Sequence, residues 1–356
     1  MKKILLISTV ALNKNGISSV IMQFIEKIDL SKYSVSLIYN DYIDEHYKKK
    51  LDEKKVKSYA FKRKRKPLSY YVFLKRLNKK NKYDIIHIHG NSATMYLETT
   101  ALKNKNNKVI VHCHNTKCDH KIMNGILNKK FNKSYDMALA CSEEAGKWIY
   151  TKDFMVVPNC ISAENYKFVQ DIRNKKRKEL GIEDKEIIIG HIGLMNEQKN
   201  HKRLIEIFRD YNKTNKESKL LCITGTLDIP KDIKQQIDEF QLQEKVIILH
   251  NRNDVNELLQ AMDVFVFPSL YEGFGIVLVE AQASGLLCVC SSEVPISTNV
   301  CNNNSYISLD ETNEKWIEAI NEKLKVTNNR KKSYLIIKES VYDSSNFKKI
   351  VDKIYK

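Results

Sequence analysis

A chain of 356 residues, 42% hydrophobic and 29% charged, is long enough for two globular domains, and its composition excludes a disordered chain, a collagen-like repeat and a small disulfide scaffold. No apolar run approaches the roughly 18 residues that span a bilayer, and the opening Met1 to Ser8 reads as a first buried strand, too short for a signal-peptide core. Eight cysteines stand singly apart from Cys288-x-Cys290, so neither a zinc ribbon nor a disulfide framework is indicated, and a reduced cytoplasm is expected.

The net charge of +17 is concentrated: residues 48–82 hold sixteen Lys or Arg against two acids. Such a patch can hold nucleic acid by counterion release or the anionic headgroups of a membrane, and it can equally be a solvated lysine-rich face. The aromatic-rich segment Leu68 to Leu77, with flanking lysines, has the composition of a membrane-surface helix, although aromatic residues at this spacing also serve as core.

Short β-rich runs alternate with amphipathic stretches, the pattern of a parallel sheet covered by helices, and predict an α/β fold. Strands are expected at Ile4 to Ile7, Val35 to Tyr39, Asp84 to Ile88, Val109 to Val111, Met137 to Ala140 and Met155 to Val157. The polar ends of the third and fourth, His87-Ile-His89-Gly90 and His112-Cys113-His114, lie where open α/β sheets place ligands. A connector and one short helix follow, which sets a domain boundary near 165. The alternation then restarts, with strands at Glu186 to Ile192, Lys219 to Thr224, Val246 to Leu249, Val264 to Phe267 and Leu287 to Cys290. Phe347, Ile350, Val351 and Ile354 give the last stretch a helical apolar stripe.

Two segments carry the chemistry. In Phe267-Pro-Ser-Leu-Tyr-Glu-Gly-Phe-Gly-Ile-Val-Leu-Val-Glu280 a buried strand ends, a glycine-flanked turn follows and a helix begins near Gly275. Glycines admit close backbone approach and a helix N-terminus favours an anion, so this is a phosphate site, with Glu272 able to reach sugar hydroxyls and Glu280 a ribose diol. In Gly190-His-Ile-Gly-Leu-Met-Asn-Glu-Gln-Lys-Asn-His201, Lys199 stands just before a helix, where its ammonium can neutralise charge developing on a leaving phosphate. No Asp-x-Asp occurs to hold Mg²⁺ or Mn²⁺, and no metal or other cofactor is expected. The cluster His112, Cys113, His114, Cys118 and His120 suggests zinc or a Cys-His nucleophile, but strand alternation puts Cys113 on the face opposite the two histidines, and nothing marks a cysteine as activated.

The segments Gly193 to His201 and Ser269 to Glu280, with Ala140 to Ala145, Val156 to Ile161 and Ala261 to Val264, resemble the retaining glycosyltransferases of family GT4, in the style of bacterial capsule and exopolysaccharide enzymes. The resemblance runs from Gly16 to the final helix. It implies the GT-B fold: two Rossmann-like domains, an acceptor-binding one over 1–165 and a donor-binding one over 166–341, with the helix in 342–356 returning to the first. It implies that Glu272 and the backbone of Gly273, Phe274, Gly275 and Ile276, in a motif that begins at Ser269, bind donor sugar and phosphate. Glu280 holds the ribose, and Lys199, in the Gly193 motif, holds the diphosphate. Gly16 then lies close to the reacting phosphate and His114 by the reacting carbon. The chain departs from the family at Leu194, where a second phosphate cation, Arg, is usual, at Gly225-Thr226-Leu227 in place of Gly-x-Gly, at Cys160 for Gly and at Leu287 for Pro. The implied activity is transfer from a nucleotide-diphosphate sugar, UDP by preference, to a lipid-linked saccharide at the inner face of the cell membrane, with the basic region 48–82 against the lipid and no nucleic acid bound. The competing reading, carried by Leu194, is a weakened GT-B protein that supports another glycosyltransferase or a membrane assembly.

Overall fold

The computed structural model describes all residues except 14, 64, 119 and 327–329. The chain divides into two compact units, Met1–Cys160 with Asn346–Lys356, and Ile161–Ser345.

The first unit is a seven-stranded parallel sheet in the order β3-β2-β1-β4-β5-β6-β7, formed by β1 (Lys2–Ser8), β2 (Tyr33–Asn40), β3 (Lys57–Phe61), β4 (Ile85–Gly90), β5 (Lys108–Cys113), β6 (Met137–Ala140) and β7 (Met155–Val156). Its helices are α1 (Gly16–Lys27), α2 (Glu45–Glu53), α3 (Pro67–Asn81), α4 (Tyr96–Leu102), α5 (Lys121–Phe131) and α6 (Glu143–Ile149). The sequence reading missed β3. It is an edge strand of sequence Lys-Ser-Tyr-Ala-Phe with no buried residue, so it lacks the hydrophobic alternation that announces a strand, and its lysine-rich surroundings discourage pairing with another chain.

The second unit is a six-stranded sheet in the order β10-β9-β8-β11-β12-β13. Its strands are β8 (Ile187–Ile192), β9 (Ser218–Thr224), β10 (Val246–His250), β11 (Val264–Phe267), β12 (Leu287–Ser291) and β13 (Asn304–Ile307). The helices are α7 (Gln170–Glu179), α8 (His201–Thr214), α9 (Lys231–Glu239), α10 (Val255–Ala261), α11 (Ile276–Ala283), α12 (Asn313–Lys325) and α13 (Arg330–Glu339). The edge strand β13, Asn-Ser-Tyr-Ile, escaped the sequence reading for the same reason as β3.

The last helix, α14 (Ser344–Tyr355), buries Phe347, Val351, Ile354 and Tyr355 in the core that α1 shares with β1, β2 and β4. The Tyr33 hydroxyl and the Lys108 ammonium donate to its final carbonyls, at 2.9 Å to Tyr355 and 3.0 Å to Ile354, which satisfies groups that would otherwise end the helix unpaired. The units divide at Cys160 and at Asn346, where the sequence suggested 165 and 342. Hydrogen bonds explain the shift: the Ile161 amide donates to the Tyr342 carbonyl at 2.8 Å and the Ala163 amide to Asp343 Oδ2 at 3.0 Å, binding both crossings into the second unit.

Part of the basic region is internal. Arg63 donates through Nη2 to Glu98 Oε2 at 3.1 Å and to the Thr94 carbonyl at 2.8 Å, and the Glu98 side chain is fully buried. Lys50 and Lys62 are paired with Glu26 and Asp41 on the surface. Removing one partner of a buried pair leaves the other charge stranded, so Arg63→Ala is expected to lose about 3 kcal/mol of stability by denaturant titration, against less than about 1 kcal/mol for Lys62→Ala.

Candidate functional site

In the second sheet the strand order reverses between β8 and β11, and the loops that follow these two strands leave the carboxyl edge side by side. The loop after β8 is pinned by polar contacts. Asn196 Oδ1 accepts from the Lys199 amide at 3.1 Å, Asn200 turns through a positive φ of 53° and donates from Nδ2 to the Pro268 carbonyl at 3.1 Å, and the Leu270 amide donates to the Gln198 carbonyl at 2.8 Å. The last two contacts sew this loop to the one after β11. They bring Lys199 Nζ to 2.6 Å from Glu272 Oε1, with the ammonium 4.6 Å from the centre of the Phe267 ring. Both side chains are mostly buried, at 15% and 6% exposure, so the ion pair stands largely out of bulk water.

Gly193 is required by that arrangement: a Cβ there would stand 2.9 Å from Lys199 Cγ. Leu194, at the family's Arg position, contributes a carbonyl to the turn, accepting from the Asn196 amide at 2.8 Å. The Gly225 departure is structural as well, for the Thr226 hydroxyl accepts the Met195 amide at 3.0 Å and so holds the Gly193 loop.

Gly275 caps α11 at φ 92°, a conformation that favours glycine, and no side chain caps this N-terminus. The Leu278 amide donates to the Gly275 carbonyl at 2.9 Å, and the Ile276 and Val277 amides ahead of it lie at the positive end of the helix dipole, beyond the reach of an intrahelical acceptor. Phe274 is buried and stacks on Tyr342 with ring centres 5.1 Å apart, which leaves its backbone, and not its ring, as the part able to meet a ligand. Ser269 is fully buried under the turn, its carbonyl accepting from Ser291 Oγ at 2.6 Å. Glu280 lies one helical turn further on, and the Tyr166 hydroxyl donates to its Oε1 at 2.8 Å. Burial pushes the Glu280 carboxyl up to about 7, with the Tyr166 hydrogen bond acting in the opposite direction. Sequence reasoning missed Tyr166, which sits in the polar connector where no spacing marks it.

In the first unit the order reverses between β1 and β4, and Gly16 opens α1 just after β1. Asn15 caps this helix by accepting the Ser18 amide at 2.9 Å, and nothing lies within 4 Å of where a Gly16 Cβ would be. His114, at the end of β5, meets His89 of β4 with His114 Nε2 and His89 Nδ1 3.0 Å apart. His87, His89 and His112 are fully buried, and with His114 they form a contiguous set of rings; neighbours along each strand lie 4.1 Å apart. Phe24 of α1 packs edge-on against His87, and the Tyr355 hydroxyl lies 2.8 Å from His87 Nδ1. Ligand-capable atoms of His87, His89 and His112 fall within 4.8 Å of one another, so the structure gathers a different set from the His112, Cys113, His114, Cys118 and His120 group considered from sequence. The Cys113 thiol donates instead to the Asn115 carbonyl at 3.2 Å. Burial holds the three inner histidines well below the usual imidazole range and His114 down to about 3.

The two units match two family descriptions in order. Residues 14–165 match Glycosyltransferase Family 4, and residues 172–337 match Glycosyl transferases group 1. The chain is a GT4-like glycosyltransferase. It is 26% identical over 268 residues to the putative glycosyltransferase EpsF of Bacillus subtilis, covering 71% of this chain and 70% of that one. It is 28% identical over 251 residues to the UDP-Gal:alpha-D-GlcNAc-diphosphoundecaprenol alpha-1,3-galactosyltransferase of Escherichia coli, covering 66% of this chain and 64% of that enzyme. The fold is that of Anabaena HepE, whose crystal structure is in complex with UDP and glucose: TM-score 0.81, 17% identity, and 99% of each chain covered. The GT-B class, two Rossmann-like units with parallel sheets, is thus established for this glycosyltransferase.

Two outcomes follow for the glycosyltransferase. Gly193→Ala displaces the Lys199 stem and is expected to lower turnover at least about tenfold, whereas Gly16→Ala meets no atom of the chain, so its melting temperature stays at the wild-type value while turnover falls if a ligand occupies that space. The buried histidines are neutral when folded but bind protons when unfolded, so stability is complete above about pH 6.5 and declines as pH falls, by up to about 1.4 kcal/mol per pH unit for each. Denaturant titrations from pH 8 to about 5 check the direction, and His112→Gln is expected to flatten the slope.

Proposed function

We propose that this glycosyltransferase moves a sugar from a UDP-sugar to a hydroxyl of a lipid-linked saccharide, with retention of anomeric configuration and without a divalent metal, in capsule or exopolysaccharide synthesis at the inner face of the membrane. The observation that carries the donor side is the meeting of Lys199 and Glu272 beside the uncapped start of α11. That placement offers an ammonium and backbone amides to a diphosphate and a carboxylate to sugar hydroxyls. The named substrates of the Escherichia coli relative, UDP-Gal and a diphosphoundecaprenol-linked sugar, support the choice of donor and acceptor. Among the described residues no helix is long and apolar enough to cross a membrane.

In the proposed reaction the bond from the sugar's anomeric carbon to the diphosphate oxygen breaks, and the acceptor oxygen bonds to that carbon on the same face. The acceptor proton passes to the departing diphosphate oxygen, so no protein nucleophile is needed. The second unit binds the donor, with Glu280 accepting from the ribose, and the first binds the acceptor, with Gly16 and His114 at its edge. Lys199 and the α11 amides stabilise the leaving group, worth about 3 kcal/mol for a well-placed donor.

Because Lys199 and Glu272 hold each other, conservative changes test them best. Lys199→Met and Glu272→Gln are expected to lower kcat/KM more than tenfold, with folding confirmed by circular dichroism, and EDTA is expected to leave the wild-type rate unchanged. Wild-type rates in both variants, or abolition by EDTA restored by Mg²⁺, would contradict the proposal. Leu194 favours a second reading, a weakened protein that supports a partner enzyme. Activity that appears only in Leu194→Arg would select it. The raised Glu280 carboxyl gives a pH signature. Protonated below about 7, it accepts ribose hydroxyls poorly, so UDP affinity is expected to rise from pH 6 to about 8, more steeply than in Glu280→Gln.

A further inference from the structure

Helix α5 buries Phe131 and half-buries Leu127, yet leaves a second apolar set exposed. An ordinary surface helix turns its apolar stripe inward. Here asparagines supply the polar anchors to the protein: Asn124 Oδ1 accepts from the Ala93 amide at 2.7 Å, and Asn128 Nδ2 donates to the Ile149 carbonyl at 2.9 Å, a bond that Asn132 Nδ2 repeats at 3.0 Å just past the helix. Of the residues in the helix only Phe131 is buried. Ile122, Met123 and Ile126 instead face out, at 82%, 50% and 66% exposure, and nothing approaches within 4 Å of where a Gly125 Cβ would stand. Helix α3, in the basic region, differs: it exposes Leu68 and Val72 but buries Tyr70, Leu74 and Leu77 in the usual way.

Charge identifies the occupant. The helix carries Lys121, Lys129 and Lys130 and no acid, and Lys117 and Lys133 flank it. A helix with protruding isoleucines among lysines matches an interface with an apolar interior and anionic headgroups, where burial of the apolar face and attraction of the cations add. We propose that α5 is the membrane-docking element of this protein, with Ile122, Met123 and Ile126 entering the headgroup boundary of an anionic lipid surface and the lysines engaging the phosphates. This rests on the lipid-linked acceptor proposed above, and it moves the point of insertion from residues 48–82 to α5.

The test is co-sedimentation of the full chain with vesicles of phosphatidylglycerol and phosphatidylethanolamine, and with vesicles of phosphatidylcholine alone. The wild-type protein binds the anionic vesicles, and part of that binding survives high salt because it is apolar. The double variant Ile122→Asp, Ile126→Asp loses at least about tenfold in binding, Lys129→Glu with Lys130→Glu loses the salt-sensitive part, and a Trp placed by Met123→Trp shifts its emission to the blue on the anionic vesicles alone. Wild-type binding by the isoleucine variant, or loss confined to Lys79→Glu with Lys80→Glu, overturns the assignment. A wild-type dimer that the isoleucine variant dissolves assigns the face to a second copy and also overturns it. Thermal stabilisation by UDP separates the two proposals: it persists in the isoleucine variant if only docking is lost, and its absence in the wild type counts against the donor reading whatever the vesicles show.

Discussion

The reversal of strand order between β8 and β11 is the constraint on which the site in Ile161–Ser345 depends. Strands wound outward from a central pair leave a crevice outside the carboxyl ends of that pair, where a parallel sheet can present loop amides and side chains to a ligand. Lys199 and Glu272 are 73 residues apart in the chain and meet because each follows one strand of that pair. The pair, in turn, depends on small features. Gly193 has no Cβ to displace the lysine stem, Asn200 accepts a left-handed turn, and Gly275 starts α11 where a larger residue would be strained.

Much of this was legible in the sequence because buried parallel strands are written in Ile, Val, Leu and Phe, while the residues that end them are glycines and polar groups. The two edge strands were not legible. Lys57–Phe61 and Asn304–Ile307 are half-solvated, and their pairing with β2 and β12 is fixed by the backbone of a neighbour, not by their own pattern. The segments bearing Lys199, Glu272 and Glu280 could be named from turn chemistry and family resemblance. Tyr166 could not, since its contact with Glu280 spans 114 residues and has no local signature. The histidine set was half visible: alternation placed His112 and His114 on one face, but only the β4–β5 register, which sets His89 beside His112, shows that four rings share it.

Both units bury imidazole rings, with His191 and His201 inside the second, and both bury an ion pair, Arg63 with Glu98 in the first. In the second, charge is kept partly buried and paired at the edge of the sheet, as a site for a charged ligand requires. In the first, imidazoles serve as core, pressed between the sheet and the aromatic residues Phe24 and Tyr355 and held neutral by burial. Neutral rings of this kind link the return of α14 to the strand ends that also carry His114. Helix α5 keeps Phe131 inside, anchors itself to the protein through Asn124 and Asn128, and leaves Ile122, Met123 and Ile126 facing out.

The central claim is that the uncapped start of α11 and a single ammonium grip a diphosphate. The most direct measurement is a crystal structure of this protein with UDP. The account predicts the β-phosphate at the amides of Gly273 to Ile276 with Lys199 Nζ within hydrogen-bonding distance, and the ribose on Glu280. A nucleotide bound elsewhere, or a Lys199 still closed on Glu272 with the phosphates away from α11, would contradict it.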